Sequence, residues 1–147
     1  DVVKYLVGEW GFEMDAEDAN GETALRAAAI NGHLDVIKYL ADERGAAIDA
    51  REASGATALM FAAQYGHLDV VKYLAGERGA AIDAKAADGE TALMFAAQYG
   101  HLDVVKYLAG ERDARIDGKT VVAGWTALMA AAEQGHLDVV KYLAGER

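Results

Sequence analysis

The sequence predicts an all-α solenoid of antiparallel helix pairs stacked in a row, and three observations support this fold class. The 22-residue segment 57–78 recurs without one change at 91–112. Edited copies stand at 23–44 and 126–147, so the step between copies is 34 residues, with one extra residue before the last copy. Each copy also contains two short apolar stretches separated by a glycine, which is typical of two short helices. A fixed period of this length indicates a repeat array, in which each unit buries its apolar face on its neighbours.

The first helix of each unit is predicted from its beginning, its apolar face and its end. A glycine two residues before each threonine suits a tight turn with positive φ, and the threonine can N-cap the helix, which contributes about 1 kcal/mol. In the segment 57–78, Leu59, Ala62 and Ala63 form the inward stripe and Gly66 ends the helix. The turn glycines are Gly21, Gly55, Gly89 and Gly124, and the capping threonines are Thr23, Thr57, Thr91 and Thr126.

The second helix is predicted to begin beside Asp69, because a negative charge is favourable in the first turn of a helix. Its inward face is expected to consist of Leu68, Val71 and Leu74. Tyrosine and lysine recur together at one place in this helix, and that constancy indicates a packing ladder on the back of the array. The residues are Tyr5, Tyr39, Tyr73, Tyr107 and Tyr142, beside Lys4, Lys38, Lys72, Lys106 and Lys141.

The segment 57–63, Thr-Ala-Leu-Met-Phe-Ala-Ala, followed by Gly-His-Leu-Asp-Val-Val at 66–71, closely resembles an ankyrin repeat, whose mark is Thr-Pro-Leu-His-x-Ala. The resemblance covers the whole chain and implies helix pairs joined by β-hairpin-like fingers. Ala stands for the usual Pro, and Met or Arg stands for the usual His, so the Thr–His hydrogen bond of the motif cannot form. Tetratricopeptide repeats share the 34-residue period, but their Trp, Leu-Gly, Tyr and Pro marks are absent. The residue in excess of the roughly 33-residue ankyrin period is expected after the second helix, near 77–79.

The repeat spacing predicts a single array over residues 1–147. We expect a partial repeat at 1–15, repeats at 16–49, 50–83 and 84–117, and a last repeat at 118–147 without a following finger. Residues 1–6 match a second helix without its first helix, and the C-terminal end keeps the apolar pattern of the internal repeats. The chain is therefore expected to be a piece of a longer array. Its exposed ends allow a monomer or weak end-to-end self-association.

Composition excludes several classes of protein. The chain has no cysteine, which excludes a disulfide framework and a thiolate metal site, and fits an intracellular, cytoplasmic location. No apolar run approaches the length of a membrane span, and no secretory leader is visible. The net charge of −10 repels phosphate, so neither nucleic acid nor an anionic membrane is expected as a partner.

Histidines and carboxylates recur by repeat position, and this spacing opposes a chemical role. Stacked helices lie about 8–10 Å apart, whereas the ligands of one Zn²⁺ lie about 2 Å from the metal. We therefore interpret His33, His67, His101 and His136 as structural and expect no metal. Repeated carboxylates such as Asp49, Asp83 and Asp117 indicate turn or surface chemistry rather than a catalytic pair.

One short motif resembles the end of a phosphate-binding loop. Gly118-Lys119-Thr120 has the required final residues, but the glycine needed five residues earlier is Asp113, and no helix is expected to follow directly. No catalytic residue and no cofactor are expected from this sequence.

The resemblance to ankyrin repeats implies a non-catalytic protein–protein interaction module. Members of that family bind other proteins through a concave groove lined by finger tips and exposed positions of the first helices. Tyr65, Tyr99 and Trp125 would fall in adjacent rows of that groove, and Tyr and Trp dominate interface energetics. Acidic residues around them predict a partner protein or peptide with apolar anchors and basic residues. The candidate partner-binding residues are Tyr65, Tyr99, Trp125, Val122, Gln64, Gln98, Asp88, Glu90, Glu22 and Gln134.

Other functions remain open from the sequence. The unchanged 22-residue segment favours an engineered or recently duplicated scaffold with no evolved partner, although the irregular first and last repeats oppose pure design. A nucleotide-binding or enzymatic domain is a remote alternative. Trp125 could also fold back on its lengthened loop, and Tyr65 could stack on Tyr99. A cluster of the non-repeated residues on one face would favour the interaction module over the bare scaffold.

Overall fold

The computed structural model describes residues 23–146, and in that part of the chain the fold is a row of helix pairs, as predicted. The first helices of the four pairs are α1 (Ala24–Ile30), α3 (Ala58–Gln64), α5 (Ala92–Gln98) and α7 (Ala127–Glu133). The second helices are α2 (Leu34–Lys38), α4 (Leu68–Val71), α6 (Leu102–Val105) and α8 (Leu137–Leu143). Each first helix packs on the next first helix, and each second helix packs on the next second helix. The described residues contain no strand, so the all-α solenoid is confirmed.

The four capping threonines begin the first helices. Each Thr Oγ1 accepts a hydrogen bond from the backbone N–H three residues later, at 3.2–3.4 Å, and this confirms the predicted N-caps. In the second pair, the N–H of Thr57 donates to the Sδ of Met60 at 3.4 Å. The methionine that stands in place of the motif histidine therefore keeps a contact with the capping residue, although sulfur is a weak acceptor.

The turn inside each helix pair is tied to the next pair by a histidine. The Nε2 of His67, His101 and His136 donates to a carbonyl oxygen near the end of the preceding first helix, at 2.8–2.9 Å. The structural interpretation of these three histidines is confirmed. A glycine is required beneath each histidine ring. Gly66, for example, has a φ of +73°, and a Cβ there would lie 2.5 Å from Nδ1 of His101.

The second helices absorb the extra residue of the 34-residue period. Helices α2, α4 and α6 continue as π-helical segments at Tyr39–Glu43, Lys72–Glu77 and Lys106–Glu111. At the end of the second of them, the N–H of Arg78 donates to the carbonyl of Tyr73, five residues back, at 3.0 Å. A π turn holds one more residue than an α turn. The extra residue is thus accommodated in a turn over 73–78 at the end of the second helix, which overlaps the position near 77–79 that the sequence indicates.

The core runs through all the described pairs as one continuous cluster. Leu59, Ala62 and Ala63 are buried as predicted, and the small alanines allow neighbouring first helices to approach closely. On the second helix the prediction is partly wrong, because Leu68 is only half-buried whereas Val70 is fully buried. The second helix lies between two neighbouring second helices, so it buries more than one stripe.

Among residues 23–146, no helix combines the length and the apolar character that a membrane crossing requires.

Candidate functional site

The fingers between helix pairs are short hairpins without regular strands. We number each finger by the helix pair that follows it, so the third finger precedes α5 and the fourth precedes α7. In the third finger, the N–H of Ala86 donates to the carbonyl of Glu90 at 2.8 Å, and the N–H of Gly89 donates back to Ala86. In the fourth finger, the N–H of Thr120 donates to the carbonyl of Trp125 at 2.9 Å, and the Oγ1 of Thr120 accepts from the N–H of Trp125 at 2.9 Å. The hairpin pairs show that Thr120 corresponds to Ala86 and Trp125 to Glu90, so the inserted residue lies between Thr120 and Trp125.

Backbone hydrogen bonds also join neighbouring fingers. The N–H of Ala87 donates to the carbonyl of Ser54 at 2.9 Å, and the N–H of Val121 donates to the carbonyl of Asp88 at 2.7 Å. The third and fourth fingers are therefore held side by side. As a result, Glu90 and Trp125, which occupy the same place in successive hairpins, line one cavity.

This cavity of about 210 Å³ lies between the third and fourth fingers and helices α5 and α7. The residues that the fingers contribute to it include Asp88, Glu90, Val122 and Trp125. The residues that the two helices contribute are Met94, Gln98, Ala130 and Glu133. We call this feature the α5–α7 cavity.

The α5–α7 cavity exists because Ala130 is small. Helices α3 and α5 carry Phe61 and Phe95 at the corresponding place, and both rings pack against the core. The segment 126–147 differs from 91–112 at only three residues, which are Ala130, Glu133 and Gln134. Two of these line the cavity, and the Nε2 of Gln134 donates to the Oε2 of Glu133 at 3.4 Å. The differences of the last copy are thus concentrated at one place.

The corresponding space between α1 and α3 is filled by the chain itself. Arg26 lies there at the position of Met94, with its guanidinium carbon 4.5 Å from the centroid of the Phe61 ring. The Nε of Arg26 forms a salt bridge with Glu52, and both side chains are largely buried. A residual volume of only about 10 Å³ remains between these residues.

The charged residues in the lining of the α5–α7 cavity are all acidic: Asp88, Glu90 and Glu133. Burial, reinforced by the neighbouring Asp88 carboxylate, raises the pKa of Glu90 to about 7. The cavity therefore combines a negative wall with the apolar surfaces of Met94, Trp125 and Ala130.

The predicted partner-binding residues form two groups. Asp88, Glu90, Gln98, Val122 and Trp125 meet at the α5–α7 cavity. Tyr65, Tyr99, Gln64 and Gln134 lie at the carboxyl ends of the first helices and outside the cavity lining. Glu22 lies outside the described residues.

Trp125 and the two tyrosines lie at opposite ends of the first helices. Trp125 precedes a first helix, whereas Tyr99 follows one, and a seven-residue helix is about 10 Å long. Tyr65 is half-exposed, and its ring stacks on that of His67 with centroids 6.5 Å apart.

The partner-binding residues predicted from the sequence do not include Met94, Ala130 or Glu133, although Glu133 holds an exposed position late in a first helix. A residue-by-residue comparison of 126–147 with 91–112 identifies two of them, since Phe95 becomes Ala130 and Gln98 becomes Glu133. Met94 is identical in three copies, so only its position in the fold shows that it contributes to the cavity.

The back face is a packing ladder, as the recurring Tyr and Lys predict. Tyr73 and Tyr107 are buried, and the Nζ of Lys38 and Lys72 lie 5.5 and 5.7 Å from their ring centroids. Each lysine contacts the tyrosine of the next pair. The Oη of Tyr73 also donates to Asp42, and burial together with this hydrogen bond raises the pKa of Tyr73.

Two recurring aspartates join the turns of successive pairs. The Oδ1 of Asp49 accepts from the N–H of Ala81 at 3.0 Å, and the Oδ1 of Asp83 accepts from the N–H of Arg115 at 2.9 Å. This confirms turn chemistry for both carboxylates. In the Gly118-Lys119-Thr120 motif, Thr120 begins a hairpin rather than a helix, so the geometry of a phosphate-binding loop is not formed.

Comparison with known families agrees with this architecture. A family model described as ankyrin repeats (3 copies) matches residues 1–86 and residues 79–147. A search of curated proteins found no match to the chain.

Proposed function

Because the chain belongs to the ankyrin-repeat family, whose repeats are generally protein–protein interaction modules, we propose that it binds a partner protein through the concave face formed by its fingers and first helices. The family is typically non-catalytic, and the function that we propose is likewise non-catalytic. The partner carries apolar anchors and basic residues. Trp125 and the acidic residues of the third finger are the main contacts on this chain.

The observation that carries this proposal is the clustering of differences in the last copy. Helix pairs under no separate selection would keep the same sequence or would differ at scattered places. Here Ala130 and Glu133 line the same cavity as Trp125, which stands where the preceding finger has Glu90. Tryptophan at the edge of a cavity is the residue type most often found to contribute 2 kcal/mol or more to an interface, as an order of magnitude.

A bare scaffold with no evolved partner is the second candidate, and the unchanged segments 57–78 and 91–112 favour it. That identity covers the second and third helix pairs. The concentrated differences of the fourth pair favour the interaction module instead, because a duplicated scaffold has no reason to place its changes around one cavity.

Affinity capture from a cell extract tests the proposal, with the chain and its variants in parallel. Trp125→Ala removes the finger anchor, and Tyr65→Ala with Tyr99→Ala removes the helix-end group. Lys72→Gln with Lys106→Gln alters the back face and is the matched control. We expect one partner to be retained by the chain and by the control, and to bind Trp125→Ala about 30-fold more weakly.

Calorimetry with the captured partner then measures each loss of affinity. Loss of the partner from the back-face variant alone would contradict the proposal. A failure of every form to retain any protein would favour the bare scaffold.

A further inference from the structure

The α5–α7 cavity has the size and the chemistry of a pocket for one side chain. We propose that it binds an arginine side chain of the partner protein, with the guanidinium group beside Trp125, Glu90 and Glu133. This inference rests on the proposed function and names the chemistry that the concave face recognises.

The chain itself shows how an arginine occupies this place. At the corresponding position between α1 and α3, Arg26 lies over the aromatic ring of Phe61 and pairs with the carboxylate of Glu52. In the α5–α7 cavity the arginine is replaced by Met94 and the phenylalanine by Ala130, so the space for a side chain is created. An aromatic residue and carboxylates are nevertheless still present around that space, since Trp125 stands at the position of Ala56 and Glu90 lines the cavity.

The volume of the cavity fits one long side chain rather than a cofactor. Sites for small molecules usually have volumes of about 300–1,000 Å³, whereas this cavity measures about 210 Å³. Its apolar wall, formed by Met94, Ala130 and Trp125, suits the aliphatic stem of arginine, which long cationic side chains bury along apolar surface.

The charges of the cavity are complementary to a cation. Asp88, Glu90 and Glu133 contribute three carboxyl groups to the lining, and no basic side chain is among the lining residues. A bound cation would favour the charged form of Glu90. A planar guanidinium can stack on an indole and donate to two carboxylates at once, whereas the compact ammonium of lysine is more strongly hydrated. Arginine is therefore preferred over lysine.

Titration with blocked amino acids tests the pocket without knowledge of the partner. The probes are N-acetyl-arginine N-methylamide, the corresponding lysine compound, and the citrulline compound, which has nearly the shape of arginine but no charge. The indole N–H of Trp125 is the NMR reporter, and that of Trp10, the other tryptophan in the sequence, is the reference. We expect a saturable shift of Trp125 with arginine at a Kd on the order of a millimolar, and at least tenfold weaker binding of citrulline.

Three variants make the result specific to the cavity. Ala130→Phe introduces the residue that helices α3 and α5 carry, and it should abolish the arginine shift while the fold is retained. The double change Glu90→Gln and Glu133→Gln should weaken arginine binding at least tenfold. Glu111→Gln, at an exposed position on a second helix, removes a charge away from the cavity and should leave binding unchanged.

Equal binding of arginine and citrulline would overturn the proposal. An unchanged arginine shift in the Glu90→Gln/Glu133→Gln variant would also overturn it. This second test stands even if the Ala130→Phe variant fails to fold. A captured partner that binds Ala130→Phe as tightly as the original chain, but binds Trp125→Ala weakly, would disprove the arginine pocket and leave the concave-face proposal standing.

Discussion

Among the described residues, the first and last interfaces between helix pairs have the same backbone arrangement and different contents. Between α1 and α3, Arg26 fills the space and pairs with Glu52 over Phe61. Between α5 and α7, Ala130 leaves a cavity of about 210 Å³ with acidic residues in its lining. The difference shows that one position in a repeat array can be core or binding site. Which one it becomes depends on a few side chains, because capping threonines, turn glycines and histidine bonds hold the backbone in the same place.

The largest expected effect concerns the framework that both interfaces share. Gly100→Ala should destabilise the fold by about 3 kcal/mol, since positive φ disfavours alanine and the new Cβ displaces the ring of His136 from its hydrogen bond. Gly135→Ala is the matched control, because its φ is the same +76° and no atom lies within 4 Å of the new Cβ. Urea unfolding of both variants measures the difference, and equal losses would show that the histidine contact contributes nothing.

The second prediction gives the first interface the residues that are found at the interface between α3 and α5. Arg26→Met should cost about 2 kcal/mol, because it removes a charged partner from the largely buried Glu52. Adding Glu52→Ala should restore most of the stability, because the pair then matches Met60 and Ala86, which hold the corresponding positions between α3 and α5. Thermal unfolding of the two single variants and the double variant gives the coupling free energy. Additive losses would contradict the salt bridge as the stabilising contact.

The third prediction gives the last interface the phenylalanine that α3 and α5 carry at the same position. Ala130→Phe should raise the free energy of unfolding by about 1 kcal/mol, because the ring fills the α5–α7 cavity and buries apolar surface. Phe95→Ala, the reverse change in α5, should lower it by a similar amount or more. Urea midpoints of both variants provide the comparison. A loss of stability in Ala130→Phe would show that the cavity cannot accommodate a side chain of this size.

The smallest expected effect is a pH dependence at the last interface, because Glu90 is only partly buried and solvent screens its charge. The pKa of Glu90 is raised from 4.5 to about 7, so the folded chain binds a proton there that the unfolded chain releases. The stability from this group is complete below about pH 4.5 and is lost as the pH rises to about 7. The neighbouring carboxylate of Asp88 adds to burial in favouring the protonated form. Glu90→Gln should therefore flatten the loss of stability between about pH 4.5 and 7, and an unchanged slope would refute this assignment.

Much of the fold could be predicted because its determinants are local. Thr57 caps a helix that begins at the next residue, and Gly66, with positive φ, lies in the turn that follows this helix. The lengthened fourth finger followed from the step between Thr91 and Thr126 alone. That a π turn takes up the extra residue could not be predicted, because several turns can absorb one residue at similar cost. Packing on both neighbouring second helices distinguishes these turns, and that packing is not visible in a single repeat.

The candidate site was only half predictable for the same reason. Trp125 and Glu90 were recognised because a large aromatic residue and a carboxylate are conspicuous in a sequence. Ala130 was missed, since one more alanine in an alanine-rich helix looks inert. Its effect exists only through Met94 and Trp125, which lie on other elements. Tyr65 and Tyr99 appear close to Trp125 when repeats are aligned, but the length of the helix separates them.

The repeat, the ends of the first helices and the finger lengths can be read from the sequence, because each depends on residues a few positions apart or on the spacing between copies. Which interface is filled and which one holds a cavity depends on the stacking of the helix pairs. Arg26 meets Glu52 and Phe61 from 26 and 35 residues away, and Met94 meets Ala130 from 36 residues away. Stacking places these side chains together, and their combined volumes and charges then determine whether the space is closed or can receive a partner.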